Sequence, residues 1–380
     1  MRIIDRYLLR QFFQTFAICF LSLTGVYVVF DGFTHLDAFL RCAKGFQLLK
    51  LMGAYYACQS TFFFDRTSSL LVLMSAMFTV TWIQRHNEMT ALMAAGVSRI
   101  RIVMPVIAAA AVITMVATAN RELLIPRFKE ELARQPGDLQ GTAGEPMSPQ
   151  YDDETDIQIL GKSVYKEGER IEKADFFMPA ALSEYGKHWL AENAYYRPAA
   201  GGRPGGYLLC GVQEPKNLAK KASLRLGGHP VIITPQDAPD WLKPEQAFVV
   251  SNVAFEQLND GRAFRSFSST AELIHALRNR SVYFGPDVRV MIHARIVQPF
   301  LDLTLLFLGL PLVVSRESRN VFIAIGLCIG VVTMFLLVAL GFQQLGASCL
   351  MIGGPAASAW APLVLFVPAA VGLSESMWER

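Results

Sequence analysis

From Asn320 to Ser374 the chain carries no Asp, Glu, Lys or Arg. A soluble fold, with about 25% of its residues charged, has no place for so long an uncharged run, whereas a bilayer requires one. Of the 380 residues 52% are hydrophobic and 18% charged, and mean hydropathy is +0.32. The charge is concentrated in the middle of the chain. A net charge of +3, with no Lys/Arg cluster interleaved with aromatics, makes no case for nucleic acid.

A helical crossing takes about 20 residues. The runs that qualify are Phe12–Phe33, Thr67–Gln84, Ile102–Asn120, Ile296–Ser315, Val321–Gln343 and Ser358–Leu373, with Gly353-Gly354-Pro355 turning the chain between the last two. The first is too long for a signal-peptide core and lacks a small-residue cleavage site, so it reads as an uncleaved span. Arg2, Arg6, Arg10, Arg85, Arg99, Arg101, Arg316, Arg319 and Arg380 fall on one face, and only Arg41, Lys44 and Lys50 on the other short loop. That bias puts both termini in the cytosol. The expected organisation is an α-helical membrane protein: spans 1–3 in residues 1–120, a mainly β extracytoplasmic domain in 121–292, and spans 4–6 in 293–380.

In the polar block, strands are expected at Ile157–Leu160, Ser163–Lys166, Trp189–Tyr196, Tyr207–Val212 and Phe248–Phe255. The stretch from Pro136 to Pro149 reads as a loop or linker, and Gly201-Gly202-Arg203-Pro204-Gly205-Gly206 as a turn. The strands suggest a sandwich or an open roll. Ser269–Leu277 reads as a short helix capped by Ser269 or Thr270, with Glu272 in its first turn.

No catalytic constellation emerges. Gly161-Lys162-Ser163 lacks the earlier Gly of a phosphate-binding loop, since position 156 is Asp, and reads as a β-turn. His35, His86, His188, His229, His275 and His293 include no pair at i,i+3 or i,i+4, and no Ser sits in a GxSxG elbow. Cys19, Cys42, Cys58, Cys210, Cys328 and Cys349 form no CxxC or zinc spacing. Cys42 and Cys58 share an expected outer loop, and nothing in their spacing demands a disulfide. No cofactor or metal is expected.

Three groups of residues stand out. Asp302 lies inside the fourth span, where a charge costs about 2.5–3.5 kcal/mol. It is either a cavity-lining or ion-coupled carboxylate, or a structural partner of Arg295 or Arg66. His35, Asp37, Arg41 and Lys44 lie just outside the first span, where the basic ones could meet lipid phosphates or an anionic head group, or form an ordinary interfacial loop. The segment from Gln84 to Ser98, between spans 2 and 3, carries an acid where basic residues are favoured. Asn87–Ala95 tolerates a helix, Glu88 suits its first turn and Gly96 its C-terminal stop, while Ala91, Ala94 and Ala95 admit another backbone. A docking helix and a tight re-entry loop both fit.

These residues, in this order, resemble the LptF/LptG lipopolysaccharide permease family. Asn87-Glu88-Met89-Thr90-Ala91-Leu92-Met93-Ala94-Ala95-Gly96-Val97-Ser98 is similar to the family signature NEL-x-AL-x-AAG-[IV]-S, with Met for Leu. Ile4-Asp5-Arg6-Tyr7-Leu8, Ser269-Thr270-Ala271-Glu272-Leu273, His293–Pro299 with Gly309-Leu310-Pro311-Leu312, and Trp360-Ala361-Pro362 match in family order. The resemblance implies six spans and a jellyroll-like periplasmic domain. It also implies a heterodimer with a sister permease, an LptB-type ATPase dimer and an LptC-type single-span protein leading to a periplasmic bridge.

Within that resemblance Arg85, Asn87, Glu88, Ala91, Leu92, Ala95 and Gly96 are the expected contacts of a coupling helix with the ATPase. Lipid would enter between span 1 of one permease and span 5 of the other. One departure stands out: Phe64-Asp65-Arg66-Thr67 replaces a Pro-containing apolar lead-in to span 2. Two other readings are weighed against this one, an ion-coupled transporter using Asp302 and a membrane-anchored envelope assembly protein.

Overall fold

The computed structural model describes residues 3–134, 136, 144–147, 149–200, 203–238, 240–255, 258, 261–279, 281, 285–314, 321–348 and 353–378. Arg2, Arg316, Arg319 and Arg380 of the orientation argument, Cys349, Gly201-Gly202 and most of the expected 136–149 linker lie outside the described residues. The chain divides into two compact units, Met1–Leu132 with Gly285–Arg380, and Ala133–Phe284.

In chain order the helices are α1 Ile3–Thr34, α2 Leu36–Cys42, α3 Phe46–Arg85, α4 Glu88–Ala94, α5 Arg99–Ala119, α6 Ile125–Arg127, α7 Lys129–Ala133, α8 Gly261–Phe267, α9 Thr270–Leu277, α10 Pro286–Val314, α11 Val321–Ala347 and α12 Gly354–Trp378. Among the described residues six helices are long and apolar enough to cross a membrane: α1, α3, α5 prolonged to Arg127, α10, α11 and α12. In the first unit, Leu73, Ala76 and Val80 of α3 share a core with Val103, Val106 and Ala110 of α5 and Val297, Leu301 and Leu305 of α10. Gly309 lets α10 close on α3, since a Cβ there would come 2.6 Å from Leu73 Cδ1. By contrast α1, α11 and α12 leave most of their apolar surface open. On a membrane span such surface faces lipid or another membrane subunit.

Two helices depart from expectation. The second begins at Phe46, not Thr67, so most of the expected outer loop is helical, and Cys58 lies inside α3 while Cys42 ends α2. The polar side chains of this stretch satisfy themselves within the helix or on a neighbour. Ser60 Oγ donates to the Tyr56 carbonyl at 2.6 Å, and Tyr56 Oη to Asp31 Oδ2 of α1 at 2.9 Å. The third span runs on past Asn120 through a π-helical turn, Asn120–Leu124. Pro126 accounts for that turn, because it has no N–H to donate to the carbonyl four residues back and its ring would strike that carbonyl.

The second unit holds a ten-stranded antiparallel sheet ordered β1-β4-β5-β6-β7-β10-β9-β8, with β3 pairing β5 and β2 pairing β3. Its strands are β1 Glu145–Pro146, β2 Gln150–Asp152, β3 Ile157–Leu160, β4 Ser163–Tyr165, β5 Arg170–Phe177, β6 His188–Arg197, β7 Gly206–Glu214, β8 Leu224–Leu226, β9 His229–Ile233 and β10 Gln246–Val250. Ile159, Ile171, Phe176, Trp189, Tyr207 and Val249 pack into one core. The expected mainly β insertion is present, but Gly161-Lys162 is not the expected β-turn: β3 and β4 lie end to end along β5 in one register, and Lys162 N–H still donates to the Glu172 carbonyl at 2.9 Å.

Sequence reading missed β5, which lies between β4 and β6. Its alternation breaks at Lys173, whose φ of +49° takes one residue out of the pleat. Beyond β10, Ser251 Oγ donates to Asp152 Oδ2 at 2.5 Å, and Tyr207 Oη to the Val253 carbonyl at 2.7 Å. Burial pushes the Asp152 carboxyl up from its ordinary value, while the Ser251 and Glu154 hydrogen bonds pull it back. Ser269 caps α9 in a capping box with Glu272.

Candidate functional site

Helix α4 joins the end of α3 to the start of α5. Its N-cap, Asn87, is left-handed at φ +60° and gives no side-chain cap. Its other end closes as a Schellman motif: Val97 N–H donates to the Leu92 carbonyl at 3.0 Å, Gly96 N–H to the Met93 carbonyl at 2.9 Å, and Gly96 has φ +83°. Met89 is buried, and Leu92, Met93 and Val97 pack beside it on the first unit's core. The opposite side is open and small: Thr90, Ala91, Ala94, Ala95 and Gly96 are exposed, as are Arg85 and Asn87. Leu92 turns inward, so of the residues singled out on this segment it belongs to the anchoring face.

The Gly96 turn is testable. A Cβ there meets nothing within 4 Å, so Gly96→Ala costs only backbone strain, about 1 kcal/mol. Amide exchange at Gly96 and Val97 is expected to speed up roughly fivefold with the global melting temperature little changed. Unchanged exchange would remove the motif from the argument.

Two contacts tie the start of α1 to this region. Tyr7 Oη donates to Glu88 Oε1 at 3.3 Å, and Arg101 Nη2 reaches Asp5 Oδ1 and Oδ2 at 3.4 and 3.2 Å. Nearby, Gln84 Nε2 donates to the Val313 carbonyl at 3.0 Å, satisfying an end carbonyl of α10.

A second polar group lies toward the opposite ends of α3, α5 and α10. Arg121 Nε meets Asp65 Oδ1 at 2.8 Å, with both side chains largely buried. Asn120 Nδ2 donates to the Thr61 carbonyl at 2.9 Å. Asp302 accepts from Ser69 Oγ at 2.6 Å and from Gln298 Nε2 at 2.8 Å. These neutral donors, one on α3 and one on α10 itself, stand where Arg295 or Arg66 was expected. Arg295 lies within electrostatic reach of Arg121, Glu122, Asp65 and Arg66. Sequence spacing could not link Asp65 with Arg121 or Ser69 with Asp302, because the partners come from different spans.

A family model for the lipopolysaccharide export system permease LptF/LptG matches residues 6–145 and 241–375. The chain belongs to the LptF/LptG family. It is therefore a multi-pass inner-membrane protein of a lipopolysaccharide transport system, and a transport subunit in kind. No match to a curated protein was found. The family match takes in α4, Glu88, Asp65, Arg121 and Asp302, and omits the stretch between 145 and 241, which holds most of the sheet.

The first loop of this LptF/LptG-type chain splits the remaining candidates. Arg41 and Lys44 are exposed at and after the end of α2. His35 turns back on α1, its Nδ1 lying 3.0 Å from the Asp31 carbonyl and 3.5 Å from Asp31 Oδ1. Tyr27, Phe39, Tyr55, Tyr56 and Phe63 form an aromatic cluster beside it, with Tyr27 stacked on Phe63 at 5.0 Å. Among the described residues no group of His, Cys, Asp or Glu could hold a metal ion.

Proposed function

We propose that this chain is one permease subunit of an ATP-binding-cassette exporter that extracts lipopolysaccharide, or a related glycolipid, from the inner membrane. A sister LptF/LptG-type permease completes the membrane part. An LptB-type ATPase dimer drives it from the cytosol, and an LptC-type single-span protein leads the lipid to a periplasmic bridge. Both termini lie in the cytosol and the β unit in the periplasm. Exposed Arg41 and Lys44 attract the anionic head group.

The observation that carries the reading is α4. It is anchored by Met89 and Leu92 on one side and open on the other, where Ala91, Ala94 and Ala95 allow close backbone approach. A helix built only to turn the chain has no use for an open small-residue face headed by an acid. Arg85, Asn87, Glu88, Ala91, Ala95 and Gly96 are the contacts assigned to the ATPase. Purification of the tagged full chain from native membranes should bring down a second permease of this family and a nucleotide-binding subunit. Recovery of the chain with neither overturns the proposal.

The buried carboxylate of Asp302 supports a second reading, ion-coupled transport. The two make opposite predictions for Asp302→Asn. The amide oxygen keeps both the Ser69 and Gln298 hydrogen bonds, so an ATP-driven exporter retains lipid extraction in proteoliposomes within about twofold. An ion-coupled one loses it.

A further inference from the structure

We infer that Tyr7 is a positioning residue for Glu88, holding the acid in the orientation in which α4 meets its partner. The inference rests on the coupling role proposed for α4. A carboxylate at the first position of a helix is drawn back over that helix's own free N–H groups. The draw is strong here, because Asn87 supplies no side-chain cap. The Tyr7 hydroxyl opposes it by holding Oε1 toward α1. Among the described residues the second oxygen, Oε2, accepts no hydrogen bond, so one oxygen is tethered and the other is left for a cation.

The tether comes from a fixed point. Two residues before Tyr7, Asp5 is held by Arg101 of α5, and one residue after it Leu8 enters the same core as Met89 and Ile102. The first turns of α1 are thereby pinned on both sides of α4, to its first residue and to the helix that follows it. Tyr7 is 41% exposed, too open for packing to be its main contribution. An exposed tyrosine on a pinned turn, ending in a hydroxyl on the one acid of α4, is an arrangement for aiming that acid.

The test is a double-mutant cycle on the tagged full chain in its native complex, with the co-purifying nucleotide-binding subunit stripped and titrated back. Tyr7→Phe should weaken binding about three- to tenfold without changing the melting temperature, the range for losing one hydrogen bond to a partner-facing group. In a Glu88→Ala background, which leaves the Tyr7 hydroxyl no side-chain oxygen at 88 to donate to, the same change should add nothing. Wild-type affinity for Tyr7→Phe beside a weakened Glu88→Ala overturns the inference and leaves the coupling role standing. An equal loss in both backgrounds also overturns it, because Tyr7 then acts through structure and not through Glu88. Wild-type affinity for Glu88→Ala itself removes the coupling role and the inference together.

Discussion

Glu88→Lys is expected to abolish lipid extraction and to prevent co-purification of the ATPase. Three effects act in one direction. The cation faces the positive end of the α4 macrodipole. It loses the Tyr7 hydroxyl as its donor. It also repels any cation on the partner that the acid would have met. Loss of one partner in a desolvated interfacial charge pair costs about 2–5 kcal/mol, or roughly 30-fold to several thousandfold in affinity. Glu88→Gln, which only removes the charge, should fall between wild type and lysine. Binding measured on reconstituted complexes orders the three, and full transport by the lysine variant would end the coupling role for α4.

The largest stability effect is expected at Arg121→Met. The methionine fills the space but leaves Asp65, a largely buried carboxylate, without its ion-pair partner and with Arg295 at longer range. Removing one member of a buried pair costs about 3–5 kcal/mol, whereas replacing both by apolar residues is often neutral or stabilising. Asp65 and Arg121 are 10% and 17% exposed, so the buried figure applies with little discount for solvent. Thermal unfolding in detergent should therefore place Arg121→Met well below wild type and the double variant Asp65→Leu/Arg121→Met near it. A single variant as stable as wild type would mean that Asp65 finds water or another partner. Because Asp65 and Arg121 join α3 to α5, the single variant should also loosen the π-helical turn at Asn120–Leu124.

Long apolar runs were the most legible part of this chain, because in a bilayer composition alone dictates helix. The limits of those helices were not legible where polarity is satisfied internally. The stretch from Phe46 to Arg66 looks like a loop by its Gln59, Ser60, Asp65 and Arg66. Ser60 and Thr61 bond back to their own helix and Asp65 is answered by Arg121, one span away. In the sheet, β3, β6, β7 and β10 were marked by their aromatic and β-branched content. β5 was hidden by its four charges and by the break at Lys173.

At the candidate site, the exposed small face of α4 was readable from Ala91, Ala95 and Gly96. The inward turn of Leu92 was not, because a helix of two turns has too little periodicity to fix its rotation. The tie between Tyr7 and Glu88 spans most of the distance from the start of the chain to α4. Only the folded arrangement of α1 against α5 brings the two together.

The length of α3 has a mechanical consequence. Its 40 residues make a rod of about 60 Å, and the hydrocarbon of a bilayer takes up about 30 Å of it. A rod tied to α4 at its Arg85 end and free of kinks at proline tilts as one piece. Tilting it by roughly 10° swings its far tip by about 5 Å, judged from the half that stands beyond the hydrocarbon. A tilt imposed at Arg85 is thus delivered to Phe46 and to the segment that carries Arg41 and Lys44.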